Sequence, residues 1–84
     1  MIKVLYFARL RESLGLSGEE LDLSPGVTSV ADLMKLLAER GESWQEEFNG
    51  CRPLRAAVNQ TLVPNIETIK DGDEVAFFPP VTGG

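Results

Sequence analysis

The stretch EVAFF, Glu74–Phe78, decides the fold of this chain. Side chains alternate along an extended segment, so Val75 and Phe77 share one face of it while Ala76 and Phe78 share the other. The preceding KDGD contains Asp-Gly, a strong signal for a tight turn, and two prolines follow the stretch. We therefore predict a last strand that is fed by a turn and has Val75 and Phe77 on its core side.

The N-terminal run from Ile2 to Ala8 is the other strongly apolar stretch. It is rich in aromatic and β-branched residues, which is typical of a central strand buried on much of both faces. Because these two strands are the most apolar, we place them side by side in the middle of one sheet. If they run parallel, the connection between them is a crossover that carries a helix.

The segment between these two strands shows two patterns, one typical of a strand and one typical of a helix. Leu21 and Leu23 alternate with polar residues, which predicts a half-buried strand that forms a hairpin with the first one. A helical spacing follows Ser29, the predicted N-cap, and Gly41 is predicted to end that helix. The apolar residues with this spacing are Val30, Leu33, Met34 and Leu37.

The remaining segments complete the predicted architecture. SWQEEFNG indicates a short turn of helix with Trp44 and Phe48 on one side, and RAAVNQTLV indicates two strands joined by a turn. The order β, β, α, β, β predicts an α+β domain in which a small mixed sheet packs on one main helix, a β-grasp fold. We assign residues 1–78 to this domain and residues 79–84 to an extended tail.

Composition restricts the partners and the compartment. The formal net charge of −5 argues against nucleic acid and anionic membranes as partners and predicts that a charge-steered partner is basic. The single cysteine, Cys51, leaves no internal disulfide, which favours a reducing cytoplasm. No secretory signal is recognisable, and no run approaches the roughly 20 apolar residues needed to span a bilayer.

Most hydrolase mechanisms are excluded by the residue content of the chain. The chain has no histidine, which removes His-based nucleophile systems and His-based metal sites. Cys51 has a neighbouring arginine but no base, so we interpret it as structural or incidental. Asp71, Asp73 and Glu74 surround a turn, where we expect solvated carboxylates rather than a metal site. We expect no metal and no cofactor bound by this chain.

The tail PPVTGG is the remaining candidate. Pro79 and Pro80 fix φ and lack backbone donors, so the chain leaves the sheet along an extended path. Six extended residues reach about 20 Å, enough to carry a terminal carboxylate into a partner's cleft. The residues that would thread a narrow channel are Pro79, Pro80, Val81, Thr82, Gly83 and Gly84. An alternative is that these residues are a flexible end without function.

Three stretches of this chain resemble a known family. MIKVLYFARLRESLG, AAVNQTLV and DGDEVAFFPPVTGG resemble the small, ubiquitin-like sulfur-carrier subunits of molybdopterin synthase across essentially the whole chain, although no family motif matches between residues 43 and 53. The resemblance implies a β-grasp fold. It also implies that an E1-like adenylyltransferase, which consumes ATP, adenylates the Gly84 carboxylate, which is then converted to a thiocarboxylate.

The resemblance further implies a partner and a reaction. The thiocarboxylate sulfur would be delivered to a cyclic pyranopterin precursor inside the large synthase subunit, in a heterotetramer of two small and two large subunits, to build the dithiolene of molybdopterin. The pterin-binding and catalytic side chains would then belong to the large subunit.

A surface for that partner is predicted on the open side of the sheet. Phe78, opposite in direction to Phe77, would lie beside the tail, and Phe7 and Leu62 would complete an apolar patch with Arg11 at its rim. An alternative is that each of these residues packs under a loop. Other functions also stay open: a carrier for another sulfur pathway such as thiamine synthesis, a ubiquitin-like protein modifier, and an interaction module with an inert tail.

Overall fold

The computed structural model describes residues 1–49 and 53–80. Within these residues the chain forms five strands and three helices. In chain order these are β1 (Ile2–Tyr6), α1 (Arg9–Leu14), β2 (Gly18–Leu21), α2 (Val30–Ala38), α3 (Glu42–Phe48), β3 (Arg55–Val58), β4 (Thr61–Val63) and β5 (Glu74–Phe78).

The strands form one mixed sheet in the order β2-β1-β5-β3-β4. β1 and β5 run parallel at its centre, with Val4 opposite Val75, as predicted from their apolar character. β1 and β2 pair antiparallel, which confirms the predicted hairpin. The other pairs are also antiparallel, so the α+β, β-grasp prediction is confirmed.

One face of the sheet carries the core. From β1 the buried side chains are Ile2, Val4 and Tyr6, whereas Lys3 is exposed and Leu5 is half-buried. The prediction that this strand is buried on both faces is therefore wrong, because the described helices supply core residues to only one of its faces. The members of the core from β5 and α2 are Val75, Phe77, Val30, Leu33 and Leu37.

The predicted N-cap of α2 is confirmed. The Oγ of Ser29 accepts a hydrogen bond from the backbone N–H of Asp32 over 3.2 Å. The Asp32 carboxylate in turn accepts from the backbone N–H and the hydroxyl of Thr28, each over 3.1 Å. The first of these bonds satisfies a donor that the start of a helix leaves free, and the other two fix the residue before the cap.

The predicted end of that helix is wrong by a few residues. α2 ends at Ala38 with Glu39 as its C-cap, and Gly41 is instead the N-cap of α3. The glycine therefore separates two consecutive helices, whereas the sequence pattern predicted only that one helix ends there. α2 is the longest helix, while α1 and α3 add to the same layer.

α3 joins the core through aromatic rings. Trp44 and Phe48 stack with centroids 6.2 Å apart, as their spacing predicted. Phe48 meets Phe77 edge to face at 5.2 Å, and Tyr6 meets Trp44 in the same way at 5.5 Å. Edge-to-face contacts favour a particular relative orientation of the two rings. These contacts therefore hold α3 against the two central strands of the sheet.

Two strand boundaries differ from the prediction. β2 covers Gly18–Leu21, so Leu23 lies beyond it. β1 ends at Tyr6 rather than Ala8, because the chain turns there: the N–H of Leu10 donates to the carbonyl of Phe7 over 3.1 Å. Ala8 has φ 54° and ψ −127°, the first central position of a type II′ turn. Among the described helices, none is long and apolar enough to cross a membrane.

Candidate functional site

The candidate site is the sheet face that lies opposite the core, called here the open face. Alternation and strand register place side chains from all five strands on it. Its residues are Gly18 and Glu20 on β2, Lys3 and Leu5 on β1 with Phe7 just after it, Glu74, Ala76 and Phe78 on β5, Arg55 and Ala57 on β3, and Leu62 on β4.

An apolar row crosses the middle of the open face. Leu5 is opposite Ala76, Ala76 is opposite Ala57, and Ala57 is opposite Leu62. Leu5, Ala76 and Ala57 are half-buried, and Leu62 is 59% exposed. A continuous row of apolar side chains, each at least partly exposed, therefore crosses four adjacent strands. Contiguous apolar surface of this kind is typical of interaction sites.

Two phenylalanines lie at the end of the open face from which the tail leaves. The N–H of Phe7 donates to the carbonyl of Phe77 over 3.1 Å, which extends the β1–β5 pairing by one residue and brings Phe7 alongside Phe78. Phe7 is 45% exposed and Phe78 is half-buried, whereas Phe77 is fully buried. The predicted position of Phe78 on the open face is confirmed.

The structure brings together most of the predicted patch. Phe7, Phe78 and Leu62 share the open face, and the exposure of Phe7 and Leu62 contradicts the alternative in which they pack under loops. Arg11 lies on α1, where its side chain is exposed, and is not a residue of the sheet face. The role of these residues in partner binding stays a prediction.

Gly18 is a part of the site that the sequence analysis missed. A Cβ at this position would lie 2.9 Å from Cδ2 of Leu5 and 3.1 Å from the carbonyl oxygen of Val4. The first distance is shorter than real Cβ contacts and the second is tighter than most of them, so glycine lets the Leu5 side chain lie against β2. The only signal in the sequence is a glycine inside a strand, which often marks such a close approach.

Charged side chains occupy both ends of the open face. Arg55 is opposite Phe78 at the tail end. Lys3 is opposite Glu20 on one side and Glu74 on the other at the far end. The position of Arg55 could not be predicted from local sequence, because it depends on the register between β3 and β5.

The tail begins at this face. Pro79 and Pro80 follow Phe78 directly and are half-buried. The predicted threading residues Val81, Thr82 and Gly83, the predicted sulfur-carrying Gly84, and Cys51 lie outside the described residues.

The turn carboxylates have structural partners. The carboxylate of Asp71 pairs with the N-terminal ammonium of Met1. Asp73 is buried and accepts hydrogen bonds from the N–H of Lys70 over 2.9 Å and from Nδ2 of Asn59 over 3.0 Å. The expectation that all the turn carboxylates are solvated is wrong for Asp73, because its oxygens fix two turns. No metal-binding cluster occurs among residues 1–49 and 53–80.

A second polar cluster lies on the core side of β1 and β2. The hydroxyl of buried Tyr6 donates to Oε2 of Glu19 over 2.7 Å, and Nη1 of Arg40 lies 2.6 Å from the same oxygen. Burial raises the pKa of Tyr6 well above its usual range, and the hydrogen bond to Glu19 raises it further. The guanidinium of Arg40 also lies 4.7 Å from the ring centre of Trp44. These contacts hold the end of α2 and α3 to the sheet.

Comparisons with known proteins agree with this geometry. The model of the ThiS family matches residues 4–84. The chain is 45% identical over 84 residues to the molybdopterin synthase sulfur carrier subunit of Escherichia coli (strain K12), and the match covers all of both chains. Among solved structures, it is similar to a putative molybdopterin converting factor subunit 1 from Pyrococcus furiosus, with 35% identity, a TM-score of 0.76 and coverage of 95% of this chain and 97% of that one.

A second solved structure contains a relative with its partner. The protein-protein complex of subunits 1 and 2 of the molybdopterin-converting factor from Helicobacter pylori 26695 includes a chain that is 25% identical to this one, with a TM-score of 0.67. The match covers 99% of this chain and 97% of that one.

Proposed function

The chain belongs to the ThiS family, and we propose that it is the sulfur carrier subunit of a molybdopterin synthase, with Gly84 as the residue that carries sulfur. The observation that supports this most strongly is the match to the E. coli sulfur carrier subunit, which covers all of both chains. The open face supplies the second support, because it gives such a carrier a surface on which to dock beside the root of the tail.

The proposed chemistry starts with a poor electrophile. The Gly84 carboxylate attacks the α-phosphate of ATP on an E1-like adenylyltransferase, which releases pyrophosphate and leaves an acyl adenylate. A hydrosulfide ion supplied by a sulfur donor then attacks the carbonyl carbon and AMP leaves, so that the chain ends in a thiocarboxylate. Like a thiolate, its ionised form is the nucleophile. ATP is bound by the activating enzyme, and we propose that this chain binds no cofactor of its own.

The second half of the reaction takes place on the partner. The thiocarboxylate sulfur attacks a carbon of a cyclic pyranopterin precursor on the large subunit and displaces an oxygen leaving group. Water then hydrolyses the acyl–sulfur bond, which leaves the sulfur on the pterin and returns the Gly84 carboxylate. Two such transfers build the dithiolene of molybdopterin. We propose that the large subunit supplies the pterin-binding and catalytic side chains, which makes this chain the sulfur-donating half of a sulfurtransferase. The assembly would be a cytoplasmic heterotetramer of two small and two large subunits.

The open face is the proposed contact with the large subunit. The related H. pylori chain is found in a complex with its subunit 2. Phe7, Phe78 and Leu62 give this chain an apolar surface for such a contact, and Pro79 and Pro80 leave that surface at the Phe78 end. Docking there would direct residues 79–84, the proposed extended tail, into the large subunit.

Intact-mass spectrometry tests the proposed function. The protein is incubated with an E1-like adenylyltransferase, ATP and a sulfur donor, and a parallel reaction omits ATP. We expect a gain equal to the exchange of one oxygen for sulfur only when ATP is present, and conversion of the precursor pterin after the large subunit is added. An unchanged mass would contradict a carrier function, and a lysine-linked adduct would indicate a protein modifier. Thiocarboxylate formation without pterin conversion would indicate another sulfur pathway.

A further inference from the structure

Net positive and net negative charge lie at opposite ends of the open face. Because β1 and β5 run parallel, their carboxyl ends meet at the same edge of the sheet, where Phe7 and Phe78 lie. Arg55 is opposite Phe78 at this tail end. At the other end Lys3 lies between Glu20 and Glu74, so the local charge there is negative.

The two ends are far enough apart to act separately. Phe78 lies four residues after Glu74, which corresponds to about 13 Å along the strand. At physiological ionic strength exposed charges are screened over about 8 Å. A docked protein therefore meets a positive charge at one end of the apolar row and a net negative charge at the other.

Arg55 is available to a partner. Two other arginines in the described residues are already engaged, since Arg9 Nε lies 3.2 Å from a Glu47 carboxylate oxygen and Arg40 lies 2.6 Å from one of Glu19. Arg55 is exposed and forms no ion pair with any residue in the described ranges. Its strand neighbour Ala56 enters the core, so the Arg55 side chain lies outside it.

We propose that the large synthase subunit contacts the open face through an apolar surface with an acidic side chain facing Arg55 and a basic side chain facing Glu20 and Glu74. This inference rests on the proposed function. It refines the expectation drawn from the net charge of −5, which is that a charge-steered partner is basic. Opposite charges at the two ends of the face would also fix the orientation of the partner. If the partner were rotated by 180° on the face, like charges would lie opposite each other and the tail would point away from the partner's cleft.

Charge reversal at Arg55 tests the proposal against a matched control. Lys35 is exposed on α2, in the helical layer behind the sheet, so Lys35→Glu makes the same change in net charge away from the open face. Binding of the purified large subunit is measured for the wild type, Arg55→Glu, Arg55→Lys and Lys35→Glu at low and high salt. Melting curves confirm that each variant is folded.

We expect Arg55→Glu to weaken binding at low salt by about tenfold or more, mostly through slower association, and the loss to shrink at high salt. Arg55→Lys retains binding and Lys35→Glu changes it by less than about twofold. Glu20→Lys weakens binding in the same salt-dependent way as Arg55→Glu. Equal effects of Arg55→Glu and Lys35→Glu, or no effect of Arg55→Glu, would overturn the proposal.

Failure of the proposed function gives a different result. In that case the wild-type chain gains no sulfur in the activation reaction and does not bind the large subunit. A wild-type chain that gains sulfur and binds, together with an Arg55→Glu variant that binds equally well, overturns only the charge-matching proposal.

Discussion

Phe77 and Phe78 are consecutive residues of β5, yet Phe77 is fully buried and packs edge to face on Phe48, whereas Phe78 lies on the open face opposite Arg55. The strand alternation that separates them also separates two properties of the protein. Phe77 belongs to the interior and contributes to stability, and Phe78 belongs to the surface proposed for docking.

Phe78→Arg is expected to leave the fold intact and to weaken binding of the large subunit. The substitution removes the apolar ring from the contact and places a second positive charge beside Arg55, so the acidic side chain proposed there cannot fully pair with both guanidinium groups. The expected loss is about 3 kcal/mol or more. Calorimetric titration of the folded variant measures the loss. Phe77→Ala is the control, since it removes a buried ring and should lower the free energy of unfolding by about 3–5 kcal/mol.

The two substitutions together decide the assignment of the patch. Unchanged affinity of a folded Phe78→Arg variant would show that Phe78 is not at the contact. An unfolded Phe78→Arg variant would show that this ring belongs to the core instead.

The sequence was sufficient for features that depend on local periodicity. The two sides of β5, the N-cap Ser29 and the Trp44–Phe48 pair all follow from spacing along one element, and the structure confirms them. The central place of β1 and β5 followed from their apolar content, since the most apolar strands are covered by neighbours on both edges.

Features that depend on pairing between distant segments were not predictable from one sequence. Arg55 reaches the open face beside Phe78 only through the β3–β5 register, and Leu5 meets Gly18 only through the β1–β2 register. Ala8 turns the chain just after β1 in a backbone conformation that alanine rarely adopts, so the residue type gave no signal of a turn. Gly41 did signal a helix boundary, but not that a second helix begins there.

Ala8→Gly is expected to stabilise the protein. Alanine at positive φ and strongly negative ψ stores strain of about 1–3 kcal/mol, whereas the added backbone freedom of glycine costs only about 0.5–1 kcal/mol. The net gain of about 1 kcal/mol should raise the Tm by roughly 4–8 °C for a domain of this size. Differential scanning calorimetry measures the shift.

The same substitution inside a helix provides the control for Ala8. Ala31 lies in α2, where glycine should lower stability by about 1 kcal/mol. A fall in Tm for both variants would show that the turn at Ala8 is not strained.

Tyr6→Phe is expected to lower the free energy of unfolding by about 1.5–3 kcal/mol. The change removes only the hydroxyl that donates to Glu19, and a hydrogen bond to a charged group contributes about this amount. Denaturation in urea measures the difference. In a double-mutant cycle with Glu19→Gln the two effects should not add, because both changes act on one bond. Additive effects would mean that the bond contributes little to stability.

The capping carboxylate of Asp32 predicts an acid-dependent loss of stability. Hydrogen bonds from the backbone and hydroxyl of Thr28 favour its ionised form and hold its pKa below the usual value of 3.8. The contribution is therefore fully present above about pH 3.8, the unfolded value, and is lost as pH falls through the lower folded value.

Melting temperatures of Asp32→Asn across a pH series measure this contribution. We expect the variant to melt below the wild type at neutral pH and the difference to disappear under strongly acid conditions. Glu46→Gln, which changes an exposed carboxylate on α3, is the control. A difference for Asp32→Asn that stays constant down to the most acid sample would show that the charge of Asp32 does not stabilise the cap.

Gly84 and Cys51 are the two residues of this chain that could carry sulfur, and substitutions distinguish between them. Deletion of Gly84, or extension of the chain beyond it by a tag, should abolish pterin conversion and leave the Tm unchanged. The buried core of the described residues runs from Ile2 to Phe77, so these changes remove none of its apolar contacts. In the proposed function, in contrast, the acyl group lies at the end of a reach set by an extended tail, so an added or missing residue would displace it from the reacting atoms.

Cys51→Ser is the matched variant, because it removes the chain's single thiol and keeps the terminal carboxylate. We expect it to form thiocarboxylate and to convert precursor at close to the wild-type rate. The measurements are intact mass after activation, pterin conversion in a reconstituted reaction, and Tm. If a folded Cys51→Ser variant lost conversion, or a tagged protein retained it, the sulfur would travel by another route and the assignment of Gly84 as its carrier would be wrong.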